Sequence, residues 1–123
     1  MAIPDYQTTM LPLLKFAGDK KEHSIREAIN HLSDLFKLSE REQKEVLPSG
    51  HSYIIDNRVG WARTYLKKAG LLEDTRRSHF RITDNGSKVL SQSPKEINVK
   101  FLQQFPQFME FRKRKDDDEE TEQ

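Results

Sequence analysis

The stretch YIIDNRVGWARTYLKKAG, residues 53–70, decides how the rest of the chain is read. Ile55, Val59, Ala62, Leu66 and Ala69 fall within about 40° of one line on a helix that turns about 100° per residue. That spacing predicts a helix over Tyr53–Ala69 with a single buried stripe. Gly70 follows, where a left-handed residue closes a helix at least steric cost. The opposite side carries Tyr53, Asn57, Gly60, Trp61, Thr64 and Lys68, with Arg63 and Lys67 along one flank.

Downstream, Leu71-Leu72-Glu73 leads into the polar run Asp74–Ser78 and then His79-Phe80-Arg81-Ile82-Thr83. Phe80 and Ile82 alternate with His79 and Arg81, the period of a half-buried strand, so a two-stranded β-hairpin with Arg76 and Arg77 at its tip is expected. Thr83 caps a further helix over Asp84–Ser91, which Gly86 weakens by about 1 kcal/mol relative to alanine. Upstream, Tyr6, Met10, Leu13, Leu14 and Ala17 mark a first helix over Asp5–Ala17, with a kink or a late start forced by Pro12. Gly18–Lys21 reads as a turn, after which two capping boxes stand in succession. Ser24 and Glu27 open a helix reaching about Phe36, and Ser39 and Glu42 open a short one before Pro48. Ser93-Pro94-Lys95-Glu96 is a third start signal. Phe101, Leu102, Phe105, Phe108 and Met109 then form an aromatic stripe interrupted by Pro106.

The length of 123 residues suits one domain. The chain has no cysteine, so disulfides and thiolate metal clusters are excluded. No apolar run reaches the roughly 20 residues that span a bilayer, and no signal peptide opens the chain; no membrane partner is expected and the cytoplasm is the expected location. The formal charge of +1 conceals an asymmetry. Residues 116–123 hold six acids and no base, residues 1–50 hold seven bases and eight acids, and residues 51–115 hold fourteen bases against six acids. A polyanion is the partner such a basic half suits, and a solvated basic face is the plain alternative. Residues 1–112 are expected to form the domain and 113–123 a charged, disordered tail or linker.

The order helix, short extended step, helix, helix, hairpin is that of a winged helix-turn-helix: mainly α with a small β-hairpin, in which the helix before the hairpin enters the major groove of double-stranded DNA. The residue types fit. Asn57 can pair with an adenine edge and Thr64 can meet a thymine methyl. Arg58, Arg63, Lys67 and Lys68 can reach guanine edges or phosphates, the small Gly60 permits close approach, and Arg76 and Arg77 suit a phosphate or a minor groove. Tyr53 and Trp61 complete the candidate surface. Each has a plainer role as well: Arg58 covering the core with its stem, Trp61 packing, Asn57 satisfying local backbone, Arg76-Arg77 serving as a soluble turn.

The run from Asp56 to Glu73, DNRVGWARTYLKKAGLLE, closely resembles the N-terminal domain of Mrr-type restriction endonucleases. So do Ile3-Pro4-Asp5-Tyr6-Gln7, Leu47-Pro48-Ser49-Gly50 and Phe80-Arg81-Ile82-Thr83, and the resemblance covers roughly residues 3–112. It implies a winged-helix domain that targets a nuclease to DNA, with Asn57, Arg58, Trp61 and Arg63 in the matched helix. In that family the nuclease is a separate C-terminal PD-(D/E)xK domain acting on methylated DNA with a divalent metal. Here the chain passes into its acidic segment where the linker to the nuclease is expected, so no nuclease is expected within it.

No catalytic constellation stands in the sequence. His23, His31, His51 and His79 fall in different elements and match no metal motif, Ser49-Gly50-His51-Ser52 is not a nucleophile elbow, and no phosphate-binding glycine loop occurs. The acids of Asp116–Glu120 read as a solvated run. No catalytic residue, metal ligand or cofactor is therefore expected. Two functions from different classes remain: a DNA reader, and an interaction module that docks a nuclease domain or a second copy through Phe101, Phe105, Phe108 and Phe111.

Overall fold

The computed structural model describes the backbone of residues 3–122 and the side chains of residues 3–114. Helix α1, Tyr6–Phe16, starts where Asp5 accepts the Thr8 amide at 2.7 Å. It runs through Pro12 instead of starting after it. Met10, Leu13 and Leu14 lie fully buried on its inner side. Thr8, whose carbonyl loses its helical partner to the proline ring, is at the surface, where water can serve it.

A 3-10 turn over Ala17–Asp19 leads to Lys20 in the left-handed region and then to strand β1, His23–Ser24. Helix α2, Ile25–Leu35, and the short α3, Glu40–Gln43, both open with complete capping boxes, at Ser24/Glu27 and Ser39/Glu42. Helix α4, Ile54–Lys68, is the spine of the domain, and its most extensive contact is with α1. Ile55, Val59, Ala62, Leu66 and Ala69 are all buried, as their spacing requires. Burying Val59 and Leu66 contributes about 1.5–3 kcal/mol each. Gly70 takes φ 82° and ends the helix.

Strands β2, Leu72–Arg76, and β3, His79–Ile82, form the expected hairpin, with Leu72 opposite Ile82, Glu73 opposite Arg81, and an irregularity at Thr75. The sheet has three strands, however, in the order β1-β3-β2. His23 and Ser24 pair with Phe80 and His79, and the Ile25 amide donates to the Ser78 carbonyl at 2.9 Å, so the wing is tied to the start of α2. His23 anchors this corner: its Nε2 lies 2.9 Å from Asp19 and its Nδ1 3.1 Å from Glu27. Burial alone would lower the His23 pKa, but the hydrogen bonds and charges of the two carboxylates outweigh it and raise it above the ordinary imidazole value. This arrangement, mostly helical with a small three-stranded antiparallel sheet against α2 and α4, is a winged helix.

Helix α5, Asp84–Ser91, is capped by Thr83 as expected, but Gly86 is no weak point. A Cβ there would overlap the Leu71 carbonyl oxygen and come within 2.6 Å of Ile82 Cγ1, so glycine is what lets α5 sit against the hairpin base. The helix expected to start at Ser93-Pro94 is absent. Ser93 takes φ 50° and closes α5, and residues 94–98 run irregularly while Ile97 is buried in the core. Helix α6, Val99–Leu102, begins instead at Asn98, whose side chain accepts the Phe101 amide at 2.8 Å. Helix α7, Pro106–Glu122, starts on its proline, the position a proline tolerates best. The aromatic stripe folds inward: Phe108 is fully buried, and its ring and that of Phe111 each lie 5.7 Å from that of Tyr65 in α4. Residues 113–122 of the expected tail lie at the end of α7, and the side chains from residue 115 onward and all of residue 123 are outside the described residues.

Candidate nucleic-acid interface

The sequence-derived surface is placed by α4 and the β2–β3 wing. Along the outward side of α4, Asn57, Gly60 and Thr64 succeed one another at helical spacing between the exposed Tyr53 and Lys68. A Cβ built on Gly60 meets nothing within 4 Å, so this side of the helix is open. The Thr64 hydroxyl donates to the Gly60 carbonyl at 3.1 Å. Tyr53 is the N-cap residue and its backbone bridges Val46 of the preceding loop.

Trp61 sits at one edge, 45% exposed, edge-on to Tyr65 at 6.1 Å. With Tyr6, Asn57, Arg58 and Tyr65 it lines a hollow of about 340 Å³ between α1 and α4. Arg58 is half-buried there, and its charge helps hold the Asp5 carboxyl below the usual carboxylate range, after the larger effect of the Thr8 amide. Lys68 lies over the Phe111 ring, 5.4 Å from its centre, a cation–π contact that leaves the ammonium group accessible.

The other flank behaves differently. Arg63 Nη1 and Lys67 Nζ each stand 2.6 Å from an oxygen of Asp74 in β2. Arg76 does not project from the wing tip; its Nε donates to Glu22 at 2.9 Å, next to β1. Arg77 does occupy the tip and is exposed, while its carbonyl accepts from His79 Nδ1 at 2.8 Å. The structure therefore places Asn57, Arg58, Gly60, Trp61, Thr64 and Lys68 on α4, with Tyr53 at its N-cap and Arg77 at the tip of the wing, and binds Arg63, Lys67 and Arg76 to internal acids. Asp74 and Glu22 were not legible as partners: they are 11, 7 and 54 residues from the cations they hold. Only the fold brings them together.

A family model described as the Mrr N-terminal domain matches residues 6–92, which span α1 through α5 and include α4 and the wing. The chain belongs to the Mrr N-terminal domain family. It is 28% identical over 98 residues to the type IV methyl-directed restriction enzyme EcoKMrr of Escherichia coli (strain K12), an alignment covering 79% of this chain and 32% of that enzyme. The chain thus spans about a third of the length of this curated relative. No solved structure matches. The domain is accordingly related to a restriction enzyme through an Mrr N-terminal domain. The Mrr N-terminal match ends at residue 92, so Phe108 and Phe111, which cover Tyr65, lie beyond it. Among the described residues, no helix is long and apolar enough to cross a membrane.

Proposed function

We propose that this domain binds double-stranded DNA, with α4 in the major groove and the wing against the flanking backbone, and that it targets a methyl-directed restriction nuclease in the cytoplasm. Residues 1–112 form the binding domain and 113–123 a charged linker toward a nuclease domain. The observation that carries this is the open side of α4. A helix whose inner stripe is buried to 0–3% keeps an amide, a hydroxyl, a glycine and a lysine facing outward. Asn57 and Thr64 read base edges, Gly60 allows close approach, and Arg58, Lys68 and Arg77 take phosphates. The relative's printed name supports a methylated duplex as the target. The rival role as an interaction module loses its motive, because Phe108 and Phe111 are spent against Tyr65 and only Met109 of that stripe is markedly exposed.

The test is a titration of fluorescent duplexes, methylated and unmethylated, at low and moderate salt. With three to five phosphate contacts, the log–log dependence on salt has a slope of about −3 to −5. Asn57→Ala narrows the preference between duplexes, while Lys68→Ala weakens all of them alike. Absence of binding to every duplex at low salt sinks the assignment.

A further inference from the structure

Arg63 and Lys67 stand one turn apart on α4, and both end on the same carboxylate. Asp74 gives Oδ1 to the guanidinium and Oδ2 to the ammonium, each at 2.6 Å. Leu72 and Asp74 share the sheet face that looks toward α4, whereas Glu73 between them turns away to take Arg81 at 2.8 Å. A phosphodiester offers the same set of contacts: one negative charge shared by two unbridged oxygens. Asp74 thus holds, between the helix and the wing, the position and valence of a backbone phosphate.

Two further observations fit that role. The three side chains are 26%, 41% and 38% exposed, and ion pairs this open to solvent add little to stability, so the fold does not depend on them. The pair Lys67–Asp74 also borders a cleft of about 1100 Å³ lined as well by Lys20, Arg81 and Lys88 together with the acids Glu73 and Asp84, space enough for a nucleic-acid backbone to approach.

We propose that Asp74 is an internal stand-in for a DNA phosphate, which keeps the wing-side cations of α4 neutralised and so restrains the domain's affinity for DNA. This rests on the DNA-binding assignment above. With that contact closed, the cations of α4 and the wing tip without an ion pair among the described residues are Arg58, Lys68 and Arg77. Without Asp74, Arg63 and Lys67 join them.

The experiment measures duplex affinity of wild-type protein, Asp74→Asn, Asp74→Ser, Asp74→Glu and Glu73→Gln over a range of salt. The two neutral variants at 74 bind about tenfold tighter at low salt, and their log–log slope steepens by about 1.8, from about −2.7 to about −4.5. Asp74→Glu behaves as wild type, and Glu73→Gln, which removes an acid from the other sheet face, gains little. Adding Arg63→Ala and Lys67→Ala abolishes the gain in the Asp74→Asn background and changes wild-type binding little. Circular dichroism melts identify any variant that fails to fold, and the second neutral substitution then carries the comparison. Equal affinity and slope for wild type and the neutral variants overturn the proposal alone, as does an equal gain from Glu73→Gln. Failure of all five proteins to bind DNA removes the DNA-binding assignment itself, and this inference with it.

Discussion

Gly60 separates what α4 does for stability from what it does for binding. It lies in the middle of a fifteen-residue helix, where glycine costs about 0.8–1 kcal/mol relative to alanine because more backbone freedom is lost on folding. Nothing stands within 4 Å of the Cβ it lacks, so Gly60→Ala recovers that energy with no steric penalty. For a domain of this size the melting temperature rises by about 3–4 °C. Gly60→Leu keeps most of the helix gain but places a branched side chain between Asn57 and Thr64 on the open face. If that face enters the major groove, the two base-reading contacts are held off and affinity falls at least about tenfold, the size of one lost base contact. The assay pairs thermal melts with duplex titrations on the same samples. A Gly60→Leu protein that melts as high as wild type and binds duplex DNA with wild-type affinity refutes the placement of this face. A fall in melting temperature for Gly60→Ala refutes the claim that the space is open.

Gly86 gives the opposite result to Gly60. In Gly86→Ala, overlap with the Leu71 carbonyl and Ile82 outweighs the propensity gain, for a net loss of about 1–2 kcal/mol by urea titration, and a more stable variant contradicts the packing described. Phe108→Ala removes a fully buried ring from Tyr65 and destabilises by about 3–5 kcal/mol, and a loss below about 1 kcal/mol shows α7 to be dispensable for the fold. Because the folded-state pKa of His23 is raised, its stabilising contribution is fully present below the ordinary imidazole value and is lost as pH rises through the folded value. The urea midpoint accordingly drops as pH rises from below the ordinary imidazole value to above the raised folded value, and His23→Gln flattens that drop, whereas an unchanged profile in the variant assigns the drop elsewhere.

What was legible in the sequence was what side chains encode locally. The stripe of α4 and the alternation of Phe80 and Ile82 gave the right faces, and Ser24, Ser39 and Thr83 marked helix starts that the structure keeps. Strand β1 left no such trace, since two residues held by backbone pairing have no period to show. The start signal at Ser93-Pro94 failed because closing α5 with a left-handed Ser93 and burying Ile97 fixed that segment irregularly before a helix could begin. The site was legible as a face but not as a set of free charges. Arg63, Lys67 and Arg76 look alike on a helical wheel or in a turn, and only tertiary placement reveals that each already faces a carboxylate.

That last difference changes how recognition divides between charge and shape. Residues 51–115 hold fourteen bases against six acids, a count that suggests a strongly adhesive surface. Yet Arg63, Lys67, Arg76 and Arg81 are engaged by Asp74, Glu22 and Glu73, and near the outward side of α4 the cations without an ion pair among the described residues are Arg58, Lys68 and Arg77. Phosphate contacts add affinity without sequence information, so, on the proposed reading, a helix face with few free cations gains little from DNA of any sequence. Its ability to choose would then depend on uncharged groups at the centre of the helix. Asn57 offers paired donor and acceptor, Thr64 has its hydroxyl occupied by the Gly60 carbonyl, and Gly60 sets how near the groove floor can come. Restoring the paired cations while leaving these three residues intact should therefore raise affinity for every duplex by a similar factor. Substituting Asn57 should change the ranking of duplexes at nearly constant salt slope, and a variant set in which both properties move together argues against this division of labour.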